Sequence, residues 1–97
     1  MRRILLAVLA SALLLAGPAQ AADAPPGASS CTGCHATTKI AGSVIPRIAG
    51  RKAADIMTFM REYRSGTWPS SVMGRIAKGF DGQQTDAIAA WFAAQPE

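Results

Sequence analysis

Both cysteines of the chain and its single histidine fall within five consecutive positions, Cys31-Thr32-Gly33-Cys34-His35. Residues three and four apart are neighbours on a helical face, so the spacing predicts that Cys31, Cys34 and His35 point to one side of a helical turn. Thiol and imidazole chemistry is concentrated there and is absent elsewhere in the sequence. Any fold has to be arranged around that point.

The length adds a second constraint. Of the 97 residues, the first stretch reads as an export signal: Met1-Arg2-Arg3 is a short basic segment, Ile4–Ala16 an apolar run with Ser11 as its one polar residue, and Ala19-Gln20-Ala21 a small-x-small cleavage pattern. The apolar run is shorter than the roughly 20 residues a spanning helix needs. No cysteine ends it as in a lipoprotein, and Arg2-Arg3 lacks the longer context of a twin-arginine signal. Residues 1–21 are therefore expected to be a cleaved signal peptide, which leaves no membrane anchor and places the product in the periplasm. Residues 22–27 read as a flexible leader and 28–97 as one domain. Cleavage leaves 76 residues, a size at which a staple, metal or cofactor commonly completes the interior. The net charge falls from +4 to +2 when Arg2 and Arg3 are lost, which gives no support to nucleic-acid binding.

In an oxidising compartment the cluster has one specific interpretation. C-x-x-C-H is the attachment sequence for c-type haem: the thiols of Cys31 and Cys34 add to the porphyrin's vinyl groups, and His35 ligates the iron. A redox disulfide of the thioredoxin type would need a sheet for which no strand pattern exists. A structural zinc site needs four ligands, and the cluster supplies three. One covalently bound haem c is the expected cofactor. Ligation through Nε2 requires that Nδ1 keep its proton, and that N–H needs an acceptor. The carbonyl of Pro46 is a candidate, since a proline makes a rigid bend and keeps its carbonyl free; that Pro46 merely shapes a loop is equally compatible with its spacing.

With His35 used, methionine is the remaining strong donor for the opposite side of the iron. Lys52–Arg64 carries apolar residues at Ile56, Phe59, Met60 and Tyr63, one face of a helix, so Met57 and Met60 are expected to pack. Met73 lies in Gly66–Gly74, whose glycines and proline predict a loop, and is the expected second axial ligand. An ordinary apolar plug beside an open sixth position is the alternative. The last segment, Asp81–Gln95, predicts a helix opened by Asp81 with Ile88, Trp91 and Phe92 on one side and alanines that permit close approach to the segment bearing Cys31 and Cys34. Pro96 helps end it. The expected fold class is all-α, with three main helices and loops.

The early C-T-G-C-H, the Pro-centred loop, the amphipathic middle helix, the loop methionine and the aromatic last helix together resemble the class I cytochrome c family over nearly all of residues 28–95. The resemblance implies a small fold wrapped around one covalent haem, His35 and Met73 as axial ligands, and Pro46 as acceptor of the His35 proton. The stretch from Pro46 to Gln95, notably Met73-Gly74-Arg75-Ile76-Ala77-Lys78-Gly79 after Ser65-Gly66, is similar to the haem subunits of flavocytochrome c sulfide dehydrogenases. That likeness implies a flavoprotein partner in a heterodimer, which oxidises sulfide and passes electrons singly to this haem, and a downstream soluble redox carrier. Some relatives carry two haem domains; one C-x-x-C-H can hold one haem.

No nucleophile, paired carboxylates or second metal cluster is apparent, so the polypeptide alone is expected to transfer electrons rather than catalyse. The competing functions are a free soluble electron shuttle to an oxidase or reaction centre, and a haem sensor or peroxidase with an open distal site. Arg75 and Lys78, and also Arg47, Arg51 and Lys52, are expected either to form a cationic rim for an acidic partner or to be ordinary solvated charges. Trp68 and Tyr63 are expected to pack on the macrocycle, with polar tips able to reach haem propionates.

Overall fold

A computed structural model describes residues 23–69 and 72–97; the segment read as a signal peptide lies outside the described residues. Four helices follow in order: α1 at Ser29–Thr32, α2 at Ala53–Ser65, α3 at Met73–Ala77 and α4 at Gly82–Ala93. No strand occurs among the described residues, in keeping with the all-α expectation and with a small class I cytochrome c fold. α2 packs against both α3 and α4.

Each long helix is bounded by its own sequence. Asp81 opens α4 through a capping box: its carboxylate accepts from the Gln84 N–H at 2.8 Å, and the Gln84 side-chain oxygen accepts from the Asp81 N–H at 3.0 Å. Two of the donors left unpaired at a helix start are satisfied reciprocally. α2 ends at Gly66, whose φ of 80° is the left-handed conformation that a glycine adopts without a Cβ penalty. Arg64 then donates to the carbonyl of Phe80, tying the end of α2 to the turn after α3.

The core is small. Ala28, Cys31, Ile56, Ile88, Ala89 and Phe92 form its buried cluster, with Ile48, Ala53, Met57, Met60, Phe80 and Trp91 packed around it. Ala89 and Ala28 are completely covered. Their lack of bulk is what lets the segment bearing Cys31 approach α4, as the alanines of that helix predict. Trp91 meets Phe92 edge to face, with centroids 4.9 Å apart, a favoured aromatic arrangement.

Two local expectations change. Met73 is the first residue of α3 rather than a loop residue: the helix takes in Met73 and Gly74, the last two residues of the stretch whose glycines and proline predict a loop. The α1 helix closes before Cys34. Its geometry nevertheless continues, since the His35 N–H donates to the Cys31 carbonyl at 2.7 Å.

Among the described residues Phe92 is the one large side chain with no exposure, so Phe92→Ala is expected to cost about 3–5 kcal/mol. Loss of the cap in Asp81→Ala is expected to cost about 1 kcal/mol. Denaturant unfolding of the two variants checks the order.

Candidate functional site

The backbone of the C-T-G-C-H segment sets the directions of its side chains. Cys31 and His35, four residues apart and joined by the helical hydrogen bond, both line one cavity of about 280 Å³. Cys34, three residues from Cys31, is exposed and instead borders a shallow hollow formed with the loop from Ala36 to Arg47. The expectation that all three side chains share one side is thus met by Cys31 and His35, and Cys34 sits at the edge of that side. Neither thiol is in a disulfide. Burial pushes the Cys31 thiol up from its ordinary value, because the thiolate would lose its hydration.

His35 Nδ1 lies 2.6 Å from the carbonyl oxygen of Pro46. A carbonyl only accepts, so Nδ1 carries the proton and donates. In the neutral ring, Nε2 is then left with a free lone pair for a ligand. Pro46 itself lines the cavity beside His35.

Three further elements close the cavity. From α2 come Ile56, Phe59, Met60 and Tyr63, the four residues whose spacing predicts one helical face; α4 supplies Ile88 and Thr85; Met73 enters from the start of α3. Met57 is not in this wall and packs on the core cluster instead. Trp68, also in the wall, is half exposed and meets Phe59 and Tyr63 edge-on at centroid distances of 5.5 and 6.4 Å. The cavity is close to the lower end of the roughly 300–1,000 Å³ range of small-molecule and cofactor sites.

Sequence reasoning missed Ile48, Thr85 and Arg51 as wall residues. Ile48 had a weak signal, as an apolar residue two positions beyond Pro46. Thr85 had none, since its hydroxyl is occupied locally by the Asp81 carbonyl at 2.8 Å. Arg75 and Lys78 are exposed and border an open hollow with Tyr63, Gly66, Trp68, Pro69 and Gly74. Arg47 differs from the rim expectation: it is partly buried and donates to two backbone carbonyls. Among the described residues no group of three or more His, Cys, Asp or Glu side chains could hold a bare metal ion.

These features fit a haem. A flat apolar ligand meets an apolar wall, a histidine with a free Nε2 and a methionine thioether line the same cavity, and the Cys31 thiol stands at its border. The all-helical fold is consistent with the small class I cytochrome c fold. The chain is 43% identical over 63 residues to the cytochrome subunit of sulfide dehydrogenase of Chlorobaculum tepidum, a match covering 65% of this chain and 57% of that protein. It is 33% identical over 95 residues to a thiosulfate dehydrogenase electron acceptor of Thiomonas intermedia, covering 96% of this chain and 44% of the relative. A thiosulfate dehydrogenase electron acceptor of Stutzerimonas stutzeri is 34% identical, covering 89% and 45% respectively. The chain spans about half the length of these curated relatives. No protein-family model matches it.

Met60 and Met73 both present thioethers to the cavity wall. If Met73 is the iron ligand, Met60→Leu is expected to retain the methionine-to-iron charge-transfer band of the oxidised protein and Met73→Leu to lose it. Absorption spectroscopy of the purified variants checks this.

Proposed function

We propose that the chain is a periplasmic electron-transfer cytochrome, the haem-carrying partner of a dehydrogenase that oxidises an inorganic sulfur compound. The observation that carries this is His35 held through Nδ1 by Pro46, in the wall of an apolar cavity that Met73 also lines. Cys31 and Cys34 would tether the porphyrin by thioether bonds, and His35 and Met73 would ligate its iron. When bound, the group supplies reversible one-electron storage, and histidine–methionine ligation favours the reduced state relative to two nitrogen ligands.

The residues of the chain then have distinct tasks. Pro46 keeps the proton on Nδ1 and orients the ring. Ile56, Phe59, Ile88 and Met60 exclude water from the cavity, and the low dielectric they create sets the balance between the two charge states. A second protein ligand at Met73 closes the position that a sensor or peroxidase would leave open. No residue of the site is arranged to attack a sulfur substrate, so oxidation of that substrate is the partner's task.

The partner is proposed to be a flavoprotein subunit in a heterodimer, since the Chlorobaculum tepidum relative is named as a sulfide dehydrogenase subunit. The two relatives named as thiosulfate dehydrogenase electron acceptors favour a second version, in which the chain is a free soluble shuttle that accepts electrons on encounter. In both, a downstream soluble redox carrier removes the electron. Export by residues 1–21 would deliver the chain to the periplasm; among the described residues no helix is long and apolar enough to cross a membrane.

Native purification separates the versions. A bound subunit is expected to co-migrate with a flavin-containing chain and to be reduced by sulfide in that complex, whereas a shuttle elutes alone and is reduced only when a dehydrogenase is added. Rapid carbon monoxide binding by the reduced protein would contradict Met73 ligation and favour the open-site alternative.

A further inference from the structure

The His35–Pro46 bond joins residues eleven positions apart, yet the loop between them does little to hold itself. Residues 38–46 are exposed, and Val44 is 92% accessible. Within the loop, the Ser43 N–H reaches the Ile40 carbonyl at 3.4 Å, beyond the usual hydrogen-bond distance, and the Ile45 N–H the Ser43 hydroxyl at 3.2 Å, at its upper limit. Pro46 has no N–H of its own. Its carbonyl is therefore placed by its neighbours.

We propose that Arg47 is the positioning residue for His35. One guanidinium nitrogen, Nη2, donates to the Thr37 carbonyl at 3.1 Å and to the Pro96 carbonyl at 3.0 Å. Thr37 stands two residues after His35, and Arg47 directly follows Pro46, so one side chain closes the loop at both ends. At the far end, Pro96 follows the turn in which Phe92, the fully buried core residue, accepts from the Gln95 N–H at 3.1 Å and the Gly50 N–H at 3.0 Å. Glu97 is seated against Gly50, where a Cβ would approach within 2.5 Å of it. On the other side the Arg47 carbonyl accepts from Arg51 Nε at 2.9 Å.

The chemistry supports a positional role rather than a surface charge. Arg47 Nε is buried with no hydrogen-bond partner, a cost that a solvated rim residue would avoid. Bonds from a charged donor to carbonyls are stronger than neutral ones, which offsets that cost and stiffens the loop. A fixed Pro46 carbonyl keeps the Nδ1–H bond short and so keeps the imidazole a strong donor toward whatever Nε2 holds.

The inference rests on the haem reading above, and its test uses the haem-loaded protein. Arg47→Lys preserves the charge, so its field on the iron is retained, but an ammonium lacks the planar fork of the guanidinium. The expected result is exchange of the His35 ring N–H with solvent at least about tenfold faster. A reduction equilibrium shifted about threefold to tenfold toward the reduced form should accompany it, a tenfold shift being 59 mV for one electron. Arg47→Gln, which removes the charge and most donors, should give the same faster exchange. Met57→Ala, a change at a residue that packs on the core cluster outside the cavity wall, should lower stability without altering ring exchange or potential. Either Arg47 variant behaving like Met57→Ala, less stable but with the parent's ring exchange and potential, overturns the proposal. A parent protein carrying no covalent porphyrin overturns both this inference and the functional reading beneath it.

Discussion

The hydrogen bond from His35 Nδ1 to the Pro46 carbonyl is the interaction on which the rest of the site depends. It fixes the tautomer, because a carbonyl can only accept, and thereby decides which ring nitrogen is available to a ligand. It also fixes the chain: the end of the C-T-G-C-H segment is joined to the residue from which the polypeptide turns through Ile48 and Ala49 toward α2. The face of α2 that lines the cavity is presented only because the loop returns there.

The packing around that bond shows how a domain this small can be stable. Among the described residues Phe92 is its one fully buried large side chain, and the rest of its core consists mainly of alanines and isoleucines around Cys31. A chain with so little interior gains much from an apolar group at its centre. The cavity bounded by α2, α4, Met73 and the His35 segment lies where such a group would complete the core. A cofactor there would be structural as well as functional, and covalent attachment would keep both contributions from being lost by dissociation.

Much of this was legible in the sequence where one residue type has one physical use. The spacing of Ile56, Phe59, Met60 and Tyr63 gave the wall-forming face of α2, because helical periodicity translates directly into direction. Asp81 marked the start of α4, because a carboxylate at that position satisfies free backbone donors. Directions around the cysteines were less legible: Cys34 lies outside the cavity wall although the turn continues to His35, since three-residue spacing brings two side chains near each other without saying which of them the cavity reaches. Arg47 was unreadable for a different reason. Its partners are the backbone carbonyls of Thr37 and Pro96, and a carbonyl is present at every residue and leaves no trace in the sequence. Thr85 and Arg51 joined the wall through tertiary placement that no local pattern encodes.

The central claim is that an exported form of this chain carries a porphyrin tethered within the C-T-G-C-H segment. Intact and tandem mass spectrometry of protein made in a host competent for cytochrome c maturation tests it most directly. The account predicts a chain beginning at Ala22 with one porphyrin joined through both Cys31 and Cys34. A bare polypeptide mass with two free thiols, from that same host, would contradict it.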